Sequence, residues 1–261
     1  MNTWKTLYIK EIKDNRTLFV LLPLLTVFLE LVAVLSFDDG QDPSLHFLWS
    51  FVPYAFLLIL PFVLSHSFAQ EVKGQTHYLL LSLPVSRAQI FAAKAAVVAT
   101  LGIVLFALSS AGFITVVSEL HALALEAKET SSHAQYFFPL FSDIVVGILV
   151  ISGVLYLSAM AVMLGIAGGA AGLKLVVRRF AGLASTAFVL GALYFYFSTL
   201  PDVLDLSGPL EVLWFDRDSN EPIGLSPESI KLSFMFLGYS ILVGLASMGI
   251  GMWLFEKRAE A

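Results

Sequence analysis

Apolar residues in this chain gather into six runs of about 20 residues or more: 18–37, 46–68, 90–117, 144–167, 180–200 and 232–255. About 20 residues rising ~1.5 Å each cross a hydrocarbon layer roughly 30 Å thick, a length that core helices of a soluble domain do not need. None of the runs alternates apolar with polar residues as a barrel strand does. Backbone groups inside lipid must be paired within the segment, so each run predicts a helix. Ahead of the first run, Trp4, Leu7, Tyr8 and Glu11 share one helical face with Lys5, Lys10 and Lys13 interleaved. That pattern predicts an amphipathic helix over 1–17 lying in the inner interface, where Trp and Tyr are favoured. Two outer segments, 119–143 and 201–229, exceed tight turns. The first opens with the helix-forming run from Glu119 to Lys128, and the second contains four prolines and predicts a small irregular cap. The expected architecture is all-α, integral to the membrane, in one domain.

Composition sharpens this reading. Hydrophobic residues make up 58% of the chain and charged residues 13%, against roughly 25% charged in a soluble domain. The acidic Asp38, Asp39 and Asp42 follow the first run in place of a small-residue cleavage site, so the run is expected to remain as a helix. Of the 15 Lys and Arg, all but Lys128, Arg217 and Lys231 fall on one side of the expected spans. Because cytoplasmic loops hold the basic excess, that side is expected to be cytoplasmic, with both termini. The absence of cysteine excludes disulfides and thiolate metal or nucleophile sites.

Few residues suggest chemistry. Glu30 lies within the first run, where a charge near mid-bilayer costs roughly 2.5–3.5 kcal/mol on insertion scales, so it is expected to face a bundle interior or a watery path. Gly165 with Gly169, Gly168 with Gly172, and Ser247 with Gly251 are spaced for close helix contact, and packing within the bundle is favoured over a dimer interface. The stretch from Gly168 to Lys174 lacks phosphate-loop spacing and reads as a flexible exit from the fourth span. His121 and His133, with Glu126 and Glu129 between them, match no metal-ligand spacing. Neither a serine nucleophile elbow nor an HExxH motif occurs, so no catalytic residue is assigned.

The inner connection between the second and third spans, from Phe68 to Ile90, has Leu79, Leu80, Leu81, Leu83 and Val85 where a solvated linker would be polar. Pro84 ends a short amphipathic stretch and Ser86 is placed to cap the next helix, which reads either as a knob that docks on another protein or as a helix flat on the membrane. In order along the chain stand Glu71, Thr76, Leu80, Leu81, Ser82, Pro84, Ser86, Arg87 and Lys94. This order resembles the signature of type-2 ATP-binding-cassette (ABC) exporter permeases. One departure is Gln75, which stands where that family usually has glycine, with Gly74 one residue earlier.

The resemblance implies that Leu80 to Arg87, Val85 included, form a coupling helix seated in a cleft of an ATPase subunit, with Glu71 helping to orient it. It further implies two ATPase subunits holding ATP and Mg, no cofactor in this chain, a second permease copy or paralogue, contact with membrane lipid and none with nucleic acid. The expected location is the plasma (inner) membrane of a prokaryote. The expected function is coupling ATP hydrolysis in the partner to export of an unidentified substrate. The alternative is a non-transporting anchor or mechanical transmitter in an envelope complex. A membrane enzyme or ion-coupled carrier would need several ionisable groups at mid-membrane, where Glu30 stands alone.

Overall fold

The structure, a computed structural model, describes residues 3–35, 52–73, 86–130, 141–177, 180–205 and 227–259. Every element among the described residues is a helix: α1 (Thr3–Asp14), α2 (Arg16–Leu35), α3 (Val52–Lys73), α4 (Arg87–Thr130), α5 (Phe141–Val176), α6 (Ala181–Asp205) and α7 (Pro227–Ala259). Four stretches are long and apolar enough to cross a membrane: Ala88–Thr115, Leu149–Lys174, Ala181–Val203 and Phe234–Leu254. The bent pair α1 and α2, taken as one, makes a fifth. Within α3 the apolar stretch is Leu57–Ala69, and residues 46–51 of the second expected span lie outside the described residues. The protein is a multi-pass membrane protein, helical throughout the elements among its described residues.

The break between α1 and α2 has a local cause. Asn15 bonds the Glu11 carbonyl through its backbone N–H (3.1 Å) and its side-chain amide (2.9 Å), satisfying the end of α1 with a residue that competes well at helix termini. The chain then turns through 64° into α2. α1 thus docks on the bundle: Leu7 is buried against Ile90 and Ala93 of α4, and Tyr8 Oη meets Thr100 Oγ1 at 2.8 Å. The expected face of Trp4, Leu7, Tyr8 and Glu11 is correct, but α4 covers much of it.

At the centre, Leu60 and Leu64 of α3, Leu101 and Leu105 of α4, and Tyr156 and Leu164 of α5 form one buried cluster. Tyr156 Oη, fully buried, donates to the Gly102 carbonyl at 2.9 Å, which meets the need of a buried hydroxyl for a partner.

α5 and α7 meet along a seam of small residues. Any Cβ at Gly165 would land on the Gly244 backbone, one at Gly169 on the Ser247 carbonyl, and one at Gly172 on the Gly251 backbone. These positions recur at i, i+4 and i+7, one face of a helix, so two backbones approach with no side chain between them. The expected intramolecular use of the glycines is correct. The expected flexible exit over Gly168 to Lys174 is not: α5 continues to Val176 because Gly169 and Gly172 are packed against α7. α6 closes this side, with Tyr196 in a buried cluster with Val162, Ile166 and Val243. Tyr196 Oη also bonds Ser240 Oγ at 3.0 Å, while Leu183, Leu190 and Tyr194 face outward.

Candidate functional site

The ends of α1 and α3 and the start of α4 meet at the basic end of the bundle, beside the connection that the sequence singles out. Glu11 and Lys94 are both buried there, 3% and 2% exposed. Lys94 Nζ donates to both Glu11 carboxylate oxygens at 2.9 Å and to Ser67 Oγ at 2.8 Å. Ser67 Oγ in turn donates to Glu11 Oε2 at 3.0 Å. All three donors of the ammonium are therefore used, and the Phe68 ring lies 5.3 Å from Nζ. Burial, the largest single influence, raises the Glu11 carboxyl, but the charge and hydrogen bonds of Lys94, the Lys10 charge and the Ser67 hydroxyl together outweigh it and hold the group below its ordinary 4.5.

A buried pair of this kind adds little net stability compared with an apolar isostere, yet removing one partner strands a charge. Its effect is directional: three chain segments, from positions 11, 67 and 94, share one bonded centre. Just before Lys94, Ser86 begins α4 with a reciprocal cap. Its Oγ accepts from Gln89 N at 3.2 Å, and Gln89 Oε1 accepts from Ser86 N at 3.2 Å. α4 thus runs as one rigid helix from the edge of the connection through Lys94 into the bundle.

The other residues selected from sequence stand as follows. Glu71 lies in the last turn of α3 and Arg87 opens α4, but their side chains are outside the described residues, as are Thr76, Leu80, Leu81, Pro84 and Val85 altogether. Glu30 is half-buried on α2 and accepts from Ser109 Oγ of α4 at 2.8 Å. Gly112 leaves room for it, since a Cβ there would strike the carboxylate. His121 is helical with its side chain outside the described set, and His133 lies outside it entirely. The Glu11–Lys94–Ser67 centre was missed as a unit, although an acid on the apolar face of α1 and a lysine inside an apolar helix start are complementary charges that need a partner.

The family model described as ABC-2 family transporter protein matches residues 12–167, more than half of the chain. That interval takes in α2 to α4, the inner connection, Ser67, Lys94 and most of α5. No curated protein and no solved structure matches the chain. A helical membrane bundle with this family match is a permease subunit of an ABC transporter, and the chain belongs to the ABC-2 transporter family.

Proposed function

We propose that this permease has six spans with cytoplasmic termini in a prokaryotic plasma membrane, and couples ATP hydrolysis in a separate ATPase dimer to substrate export. The observation that carries this reading is the buried Glu11–Lys94–Ser67 centre. It ties α1, the end of α3 and the start of α4 at the basic end, on both sides of the connection 74–85. A push on that connection would move these segments together instead of bending one of them. Leu80, Leu81, Pro84, Val85, Ser86 and Arg87 form the contact with the ATPase, with Glu71 and Thr76 orienting it. ATP and Mg are held by that partner. A second permease copy or paralogue completes the path, and Glu30 lies beside it.

The test is co-purification of the tagged chain in mild detergent, comparing wild type with a Pro84→Ala, Arg87→Glu double variant. An ABC ATPase is expected with wild type and reduced with the variant. Wild type that brings down no ATPase, under conditions that keep other membrane complexes intact, would refute the coupling. An anchor, unlike an exporter, would show no ATPase stimulation by any candidate substrate after reconstitution.

A further inference from the structure

A cleft of about 770 Å³ opens at the basic end, between the α1–α2 elbow, the second half of α3 and the last turn of α5. This volume lies within the roughly 300–1,000 Å³ typical of small-molecule sites. Its lining is graded along the helices. Asp14, His66 and Lys174 stand nearer the helix ends, with Ala69 beside them, and Leu18, Phe62 and Val63 stand further along α2 and α3, with Thr17 and Ser65 between. His66 and Phe62 are four residues apart on one helix, so the change from polar to apolar takes about 6 Å. Lys174 is exposed and forms no ion pair among the described residues.

The apolar floor does not end inside the cleft. Leu21 and Leu25 follow Leu18 at helical spacing on α2, and Leu58 precedes Phe62 by one turn on α3. All four of Leu21, Leu25, Leu58 and Phe62 are exposed, Phe62 at 75%. Among the described residues, a polar pocket with one ammonium thus continues into an apolar track exposed along the outer surface of α2 and α3.

We propose that this cleft binds a phospholipid by its headgroup. The phosphate sits against Lys174, with Thr17 and Ser65 hydroxyls as further donors, and one acyl chain follows Leu18, Leu21 and Leu25. Asp14, whose carboxylate meets Lys10 at 3.3 Å, faces the far end of the headgroup and favours an amine there, so phosphatidylethanolamine is the best-matched probe. Electrostatic attraction of any basic surface to lipid is the competing explanation. Lys5, an exposed lysine on α1 outside the cleft, separates the two. The site does not depend on the ATPase coupling, so either can fail alone.

The experiment is native mass spectrometry of the full purified chain, titrated with phosphatidylethanolamine, with dioleoylglycerol, or with inorganic phosphate. Wild type should retain one phosphatidylethanolamine in preference to dioleoylglycerol, and inorganic phosphate should not displace it. Lys174→Ala should weaken retention about fivefold, Lys174→Arg should restore it, and Lys5→Ala should leave it unchanged. Thr17→Trp, which fills the cleft from its exposed rim, should abolish it. Equal retention of dioleoylglycerol, an equal loss in Lys5→Ala, or full retention in Thr17→Trp overturns the proposal. Displacement by inorganic phosphate alone would make this a free-anion site and would also overturn it.

Discussion

The two ends of the sequence are held together by opposite means. Around α1, α3 and α4 the contact is a charged, directional centre, with Lys94 bonded to Glu11 and Ser67. Between α5 and α7 it is bare backbone on backbone, with Gly165, Gly169 and Gly172 against Gly244, Ser247 and Gly251. A small-residue seam has no bond to break and no side chain to re-aim, so it fixes a spacing. A buried ion pair fixes which segments move together, because separating its partners would strand a charge. The bonded junction adjoins the connection to the proposed ATPase contact, while the seam sets the spacing of α5 and α7.

The contrast can be broken from the polar side first. Lys94→Met leaves the Glu11 carboxylate buried without its cation and should cost about 3–5 kcal/mol of stability, read as a large drop in the melting temperature of the solubilised protein. A Glu11→Gln, Lys94→Met double variant should recover most of that loss, because the stranded charge is gone. If the single and double variants melt alike, the pair is not a unit.

On the seam, Gly165→Ala should cost about 1–3 kcal/mol, because the Gly244 backbone occupies the space and has no flexible end to yield. Gly249→Ala, on the facing helix α7, meets nothing within 4 Å and should stay within about 0.5 kcal/mol of wild type. Equal effects of the two would remove the seam from the account. Ser109→Ala, which removes the hydroxyl bonded to Glu30, should cost about 1 kcal/mol by the same measurement, less than either disruption above.

The smallest effect near neutrality is that of pH. The Glu11 carboxyl is held below 4.5 in the fold, so its contribution is fully present above that value and is lost as pH falls through the lowered pKa. The stability gap between wild type and Glu11→Gln should therefore be constant from neutral pH down to about 4.5 and narrow below it. A gap that changes near neutrality would mean that Glu11 is not held ionised by Lys94.

Much of this contrast is written in local patterns. The seam was legible because glycines at four-residue spacing inside apolar runs have few other uses, and the cap at Ser86 because serine before an apolar helix is a strong local signal. The continuation of α5 past Gly168 was not, since consecutive glycines look flexible until a second helix is placed against them; Ser247 and Gly251, which Gly169 and Gly172 meet, lie 78 and 79 positions later in the chain. Glu11 and Lys94 each stood out, one on the face of an amphipathic helix and one in the motif. Their pairing was hidden because it spans 83 positions and passes through Ser67, a residue unremarkable by itself.

The central claim is that α1 and α4 move as one body when the ATPase acts. The absence of native cysteine allows clean spin labels at Ile9 and Ile114, two exposed positions on α1 and α4. The most direct measurement is the pulsed-EPR distance between them in the complex with the ATPase, without nucleotide and after trapping with ATP and vanadate. A common, narrow distance in both states, broadened by Lys94→Met, is the predicted result. A shift of several ångströms in the unsubstituted protein on trapping would contradict it, since α1 would then move independently of the helix to which Glu11 ties it.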